Sequence, residues 1–114
     1  MALEKIERQL RKKNLVLFGV EEKKGSYFDL VDTVLEIIKE FMKITCEKQE
    51  IESVRRIGKI GEKARPVIIS FTTMDRKIEV LSIKKALKNS PYYIMEDYPK
   101  KILEKRKQLK EDLV

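Results

Sequence analysis

A chain of 114 residues has room for one ordinary domain, and its 42% hydrophobic content is enough to form a core, which excludes a disordered polyelectrolyte. A net charge of +7 points to a polyanionic partner, nucleic acid first, although a Lys-rich surface also serves plain solubility. The single cysteine, Cys46, excludes an internal disulfide, and no apolar run is long enough for a membrane span or signal peptide, so an intracellular, reducing compartment is expected.

The opening segment, residues 1–13, places Leu3, Ile6 and Leu10 at a and d spacing and ends in the basic run Arg11, Lys12, Lys13. It predicts an N-terminal helix that either packs on its own domain or ends a longer coiled coil. Asn14 to Phe18, halted by Gly19, predicts a first, largely buried strand. Ser26 and Asp29 form a capping-box pattern ahead of Phe28, Val31, Leu35, Ile38 and Met42, which predicts a helix with those residues on its core face. Cys46 follows as the end of that helix, expected as a small buried side chain rather than a reactive thiol. Ile51 to Ile57 is expected as a strand, although Ile51, Val54 and Ile57 recur every third position and match neither the helical nor the strand period.

Gly58 to Arg65, with two glycines and Lys59, Lys63 and Arg65, predicts a basic loop. Pro66 then leads into Val67 to Phe71, the clearest strand by its β-branched and aromatic content. Thr72 and Asp75 suggest a second capped helix carrying Ile78, Leu81, Ile83 and Leu87, broken by Asn89, Ser90 and Pro91. Tyr92 to Met95 predicts a last strand, and Pro99 opens a C-terminal helix over residues 98–114. The order strand, helix, strand, strand, helix, strand over residues 14–97 predicts an α+β, ferredoxin-like βαββαβ domain of the RNA-recognition-motif type. It has a four-stranded antiparallel sheet, two backing helices and an extra helix at each end.

Positive charge is local. Residues 14–46 hold four basic and six acidic side chains, whereas residues 47–90 hold eleven basic and six acidic. In a standard RNA-recognition motif aromatics on the first and third strands stack on bases, but here the stacking positions hold Val16, Pro66 and Ile68. Affinity is therefore expected from charge: Arg55 and Arg56 at the end of the second strand, then Lys59, Lys63 and Arg65 in the loop. Two adjacent arginines in a strand point to opposite faces, so at most one of them lies on the face opposite the helices. On the last helix Ile102, Leu109 and Leu113 share a face with Arg106, which either pairs with a carboxylate such as Asp97, covers apolar surface, or contacts ligand. Arg11, Lys12, Lys13, Lys100 and Tyr93 complete the candidate nucleic-acid-binding residues, with core packing the plainer role for Tyr93.

Ile57-Gly58-Lys59-Ile60-Gly61 also fits the I-G-x-x-G of KH domains, but that loop joins two helices and here a strand follows. The chain has no histidine, no metal-ligand spacing, no G-x-S-x-G and no P-loop, so neither an enzyme nor a cofactor-binding protein is expected.

The pieces Asn14 to Val20, Ile51 to Lys59, Arg65 to Thr73 and Tyr92 to Leu109 resemble, in order and spacing, the RNA-binding protein of the first open reading frame of LINE-type, non-LTR retrotransposons. The resemblance implies a coiled coil that trimerises the chain, a non-standard RNA-recognition motif, and a small C-terminal domain that is incomplete here. It further implies RNA or single-stranded DNA as partner, nucleic-acid chaperone activity in a cytoplasmic or nuclear ribonucleoprotein, and RNA contacts by Arg55 or Arg56, Arg65 and Arg106. A protein-interaction module using Val16, Phe18 and Ile68, exposed together on the sheet, or the terminal helix, is the alternative.

Overall fold

A computed structural model describes residues 2–97. Their elements are α1 (Ala2–Arg11), β1 (Asn14–Phe18), α2 (Tyr27–Met42), β2 (Ile51–Arg56), β3 (Val67–Phe71), α3 (Met74–Ser82) and β4 (Tyr93–Glu96), with 3-10 turns at Lys48–Glu50 and Lys84–Leu87. The strands form one antiparallel sheet in the order β2-β3-β1-β4. The result is an α+β fold compatible with a ferredoxin-like layout. The expected C-terminal helix, with Lys100 and Arg106, lies outside the described residues.

Strand alternation sorts the sheet into two faces. Leu15, Leu17, Val54, Val67, Ile69, Phe71 and Ile94 join Val31, Val34, Ile37 and Ile38 of α2 and Val80 of α3 in one core, so both helices cover the same face. The Ser26 capping box forms as expected: its hydroxyl accepts from the Asp29 N–H at 3.2 Å and the Asp29 carboxylate accepts from the Ser26 N–H at 2.9 Å. Phe28 differs from the expectation. It sits in the first turn, 67% exposed, and the core stripe runs instead through Val31, Val34, Ile38 and Met42. The helix stops at Met42, with Lys43 in the left-handed region at φ 59°, so Cys46 lies beyond it, buried.

The odd spacing in β2 has a physical cause. Ile51 pairs with Phe71 and Ser53 with Ser70, so Glu52 is an extra residue, a β-bulge. The bulge lets Ile51 and Val54, three apart, turn to the same side. The cap of α3 is Thr73, whose hydroxyl accepts from the Arg76 N–H, rather than Thr72. With that start Ile78 faces solvent, while Lys77 is buried and reaches the Glu96 carboxylate at 2.6 Å. Gly19 is required where it stands: φ is +96°, and a Cβ would come within 2.0 Å of the Pro91 carbonyl oxygen.

Candidate nucleic-acid interface

The face opposite α2 and α3 consists of three register rows. Ser53, Ser70 and Asn14 make a polar row, tied by the Ser70 hydroxyl donating to Asn14 Oδ1 at 2.7 Å and Asn14 Nδ2 donating to Asp97 at 3.0 Å. Arg55, Ile68, Val16 and Met95 make the middle row. Phe18 and Tyr93 close the third, their rings stacked at 4.3 Å and 6°.

Val16 and Ile68 are 6% and 5% exposed, so the exposed apolar patch expected there is absent. Both sit on the two inner strands, in one register row with Arg55 and Met95 of the outer strands on either side. Solvent meets this face at its border, where Arg55 and Tyr93 are exposed and Phe18 is half-buried.

Arg55 and Arg56 do point to opposite faces. Arg55 pairs with Ile68 on the outer face, and no carboxylate lies within ion-pair reach of it among the described residues. Arg56 pairs with Val67 and turns to the core side. Its Nη1 donates to Val20 O at 2.6 Å and to Arg65 O at 2.7 Å, and its Nη2 donates to Glu21 O at 2.5 Å. The guanidinium thus pins the loop after β1 to the β2–β3 loop.

Arg65 joins the same staple. Its Nε donates to Glu22 Oε1 at 2.7 Å and its Nη2 to Oε2 at 3.3 Å, a forked pair that holds the Glu22 carboxyl below the usual carboxylate range. Among the expected phosphate ligands, Arg56 gives three guanidinium hydrogen bonds to backbone carbonyls, and Arg65 commits its Nε and Nη2 to Glu22.

The basic loop is a hairpin connection between β2 and β3, with Ile57 N–H donating to Pro66 O at 3.0 Å and Gly58 at φ +91°. That position overturns the KH comparison, whose loop joins helices. Lys59 and Lys63 stand in it exposed. Because Leu17 pairs with Val67 and Phe18 with Tyr93, this loop and the aromatic pair share one end of the sheet, with Arg55 one row further in on the opposite edge strand from Tyr93. Arg11, Lys12 and Lys13 belong to the opposite end, where Phe71 N–H donates to Lys13 O and Arg11 pairs with Asp97 at 3.7 Å.

Sequence reasoning passed over a second cationic group, Lys84, Lys85 and Lys88, all exposed on the segment leading to β4. Their i, i+1, i+4 spacing looks like a solvated helix face, and only the 3-10 turn and the return of β4 set them beside Tyr93.

Among the described residues there is no cluster of three potential metal ligands, and no helix is long and apolar enough to cross a membrane. Burial pushes the Cys46 thiol up to about 11. Compared with known proteins, the chain matches no family model and no curated protein.

Proposed function

We propose that this protein is a non-enzymatic module that binds single-stranded nucleic acid, RNA or DNA, with little sequence selectivity and mainly through phosphate contacts. The observation behind this reading is Arg55: an exposed guanidinium with no carboxylate partner among the described residues, on the same sheet face as the Phe18–Tyr93 pair and near the loop that carries Lys59 and Lys63. Arginine offers a planar fork to phosphate oxygens, and loop lysines add mobile point charges that do not discriminate sequence. The β2-β3-β1-β4 order supports an RNA-recognition-motif type of domain. The resemblance to the LINE first-frame RNA-binding protein supports a place in a retrotransposon-type ribonucleoprotein and a chaperone role, in cytoplasm or nucleus.

A homo-oligomer, a trimer through a longer coiled coil, belongs to the same reading. It is supported by Leu3 and Ile6 of α1, which are 68% and 55% exposed on one helical stripe. The same exposure favours the alternative of a protein-interaction module, in which α1 docks a different chain.

Titration of a labelled single-stranded oligonucleotide at graded salt tests the proposal. Log affinity is expected to fall linearly with log salt, by about 0.7 for each phosphate neutralised. Binding unchanged between low and near-physiological salt would rule out the phosphate-dominated mechanism.

A further inference from the structure

Beyond Tyr93, on the outer edge of the sheet, the 3-10 turn Lys84–Leu87 and strand β4 enclose a groove of about 490 Å3 lined by Lys84, Lys85, Lys88 and Tyr93. Among the described residues none of these lysines has a carboxylate within ion-pair distance, unlike Lys77 and Lys48. The corner that presents them is fixed by the backbone. Asn89 takes φ 70°, and the Ser90 hydroxyl donates to Leu87 O at 2.5 Å while accepting from the Tyr92 N–H at 3.1 Å. Among the described residues no carboxylate neutralises these three like charges, an arrangement that repels itself until an anion enters.

The ring at the mouth of the groove supplies the second half of the argument. Tyr93 is 56% exposed although one ring face lies flat on Phe18, so its exposure belongs to the opposite face and the hydroxyl edge. Phe18 holds that ring still, which gives a pre-ordered platform for an aromatic base. Clustered ammonium groups beside a held aromatic ring match a chain of phosphates with bases attached better than a free phosphate, which has no use for the ring.

We infer that this groove is a second nucleic-acid subsite: Lys84, Lys85 and Lys88 take consecutive phosphates while Tyr93 stacks one base. The strand would thereby run from the Arg55 border across Phe18 and Tyr93 and around the free edge of β4. The inference rests on the proposed single-strand binding and extends it from Tyr93, already a candidate in the sequence, to Lys84, Lys85 and Lys88, which were not.

The test uses the full chain and a labelled oligonucleotide of about 12 nucleotides, within the range a small single-strand module covers. Replacing the lysines together (K84Q/K85Q/K88Q) is expected to lower the log-log salt slope by about 2, at about 0.7 per lost phosphate contact. Tyr93→Leu is expected to weaken binding about fivefold or more, and Tyr93→Phe to restore it, because stacking needs the ring and not the hydroxyl. All four positions are exposed, and an unchanged thermal midpoint checks that the variants fold. Steep salt dependence in the wild type, kept in full by the triple variant, would overturn the groove and leave the proposed function standing. Loss in the triple variant with none in Tyr93→Leu would overturn the stacking role. A wild type without salt-dependent binding would overturn both readings.

Discussion

Arg55 and Arg56 are neighbours in sequence and opposites in use. On the helix side of β2, Arg56 reaches three backbone carbonyls, and beside it Arg65 is forked onto Glu22; on the outer side, Arg55 stands exposed above Ile68. The same division recurs across the described residues. Arg76 is bonded to Glu50 and Glu79, and Lys77 to Glu96, whereas Lys59, Lys63, Lys84, Lys85 and Lys88 are exposed and have no carboxylate within ion-pair distance. Basic composition therefore overstates the charge left available for a partner, because part of it holds the fold. What distinguishes the two groups is strand alternation and the position of a few glutamates.

The contrast is open to mutation, and the largest effect is expected on the structural side. Arg56→Ala leaves the carbonyls of Val20, Glu21 and Arg65 without their donor and is expected to cost about 3 kcal/mol in urea unfolding, since hydrogen bonds to a charged group are each worth about 1.5–3 kcal/mol and do not add fully. A loss under about 0.5 kcal/mol, the ordinary size for a surface change, would dissolve the distinction.

Acid should loosen the same side more gently. The Arg65 hydrogen bond lowers the Glu22 carboxyl and the Arg76 hydrogen bond lowers that of Glu50 from the ordinary 4.5. A carboxyl lowered in the folded state stabilises fully above its unfolded value and loses that contribution as pH falls through the folded one. Stability measured by urea midpoint should therefore decline below about pH 4.5, and Glu22→Gln together with Glu50→Gln should flatten the decline. Both carboxylates are well hydrated, so the effect is expected to be smaller than that of Arg56→Ala.

The smallest expected signal concerns Cys46, whose burial pushes its thiol up to about 11. Labelling by a thiol reagent near neutral pH should be slow and should rise with denaturant in step with unfolding. Rapid labelling of the native protein would show a reactive thiol instead of a packed one.

Local chemistry made much of this fold legible in advance. The capping box at Ser26 and Asp29, the β-branched run from Val67 to Phe71 and the alternation of Arg55 and Arg56 all depend on neighbours within a few positions, and each is present. Features set by distant partners were not legible. Glu22 meets Arg65 from 43 positions away, and the Arg56 guanidinium finds Val20 and Glu21 only once β1 and β2 are in one sheet. The bulge at Glu52 disguised the period of β2, and starting α3 at Thr73 rather than Thr72 turned Ile78 outward and Lys77 inward. Tyr93 was visible as a candidate, but its stacking on Phe18 required the register of β1 with β4.

The most direct test of the division between the two arginines is Arg55→Gln, followed in one preparation by urea unfolding and by oligonucleotide titration at graded salt. Stability is expected to stay within about 0.5 kcal/mol of the wild type, while the log-log salt slope falls by about 0.7, the share of one phosphate contact. An unchanged slope, or a variant that unfolds as readily as Arg56→Ala, would contradict the account.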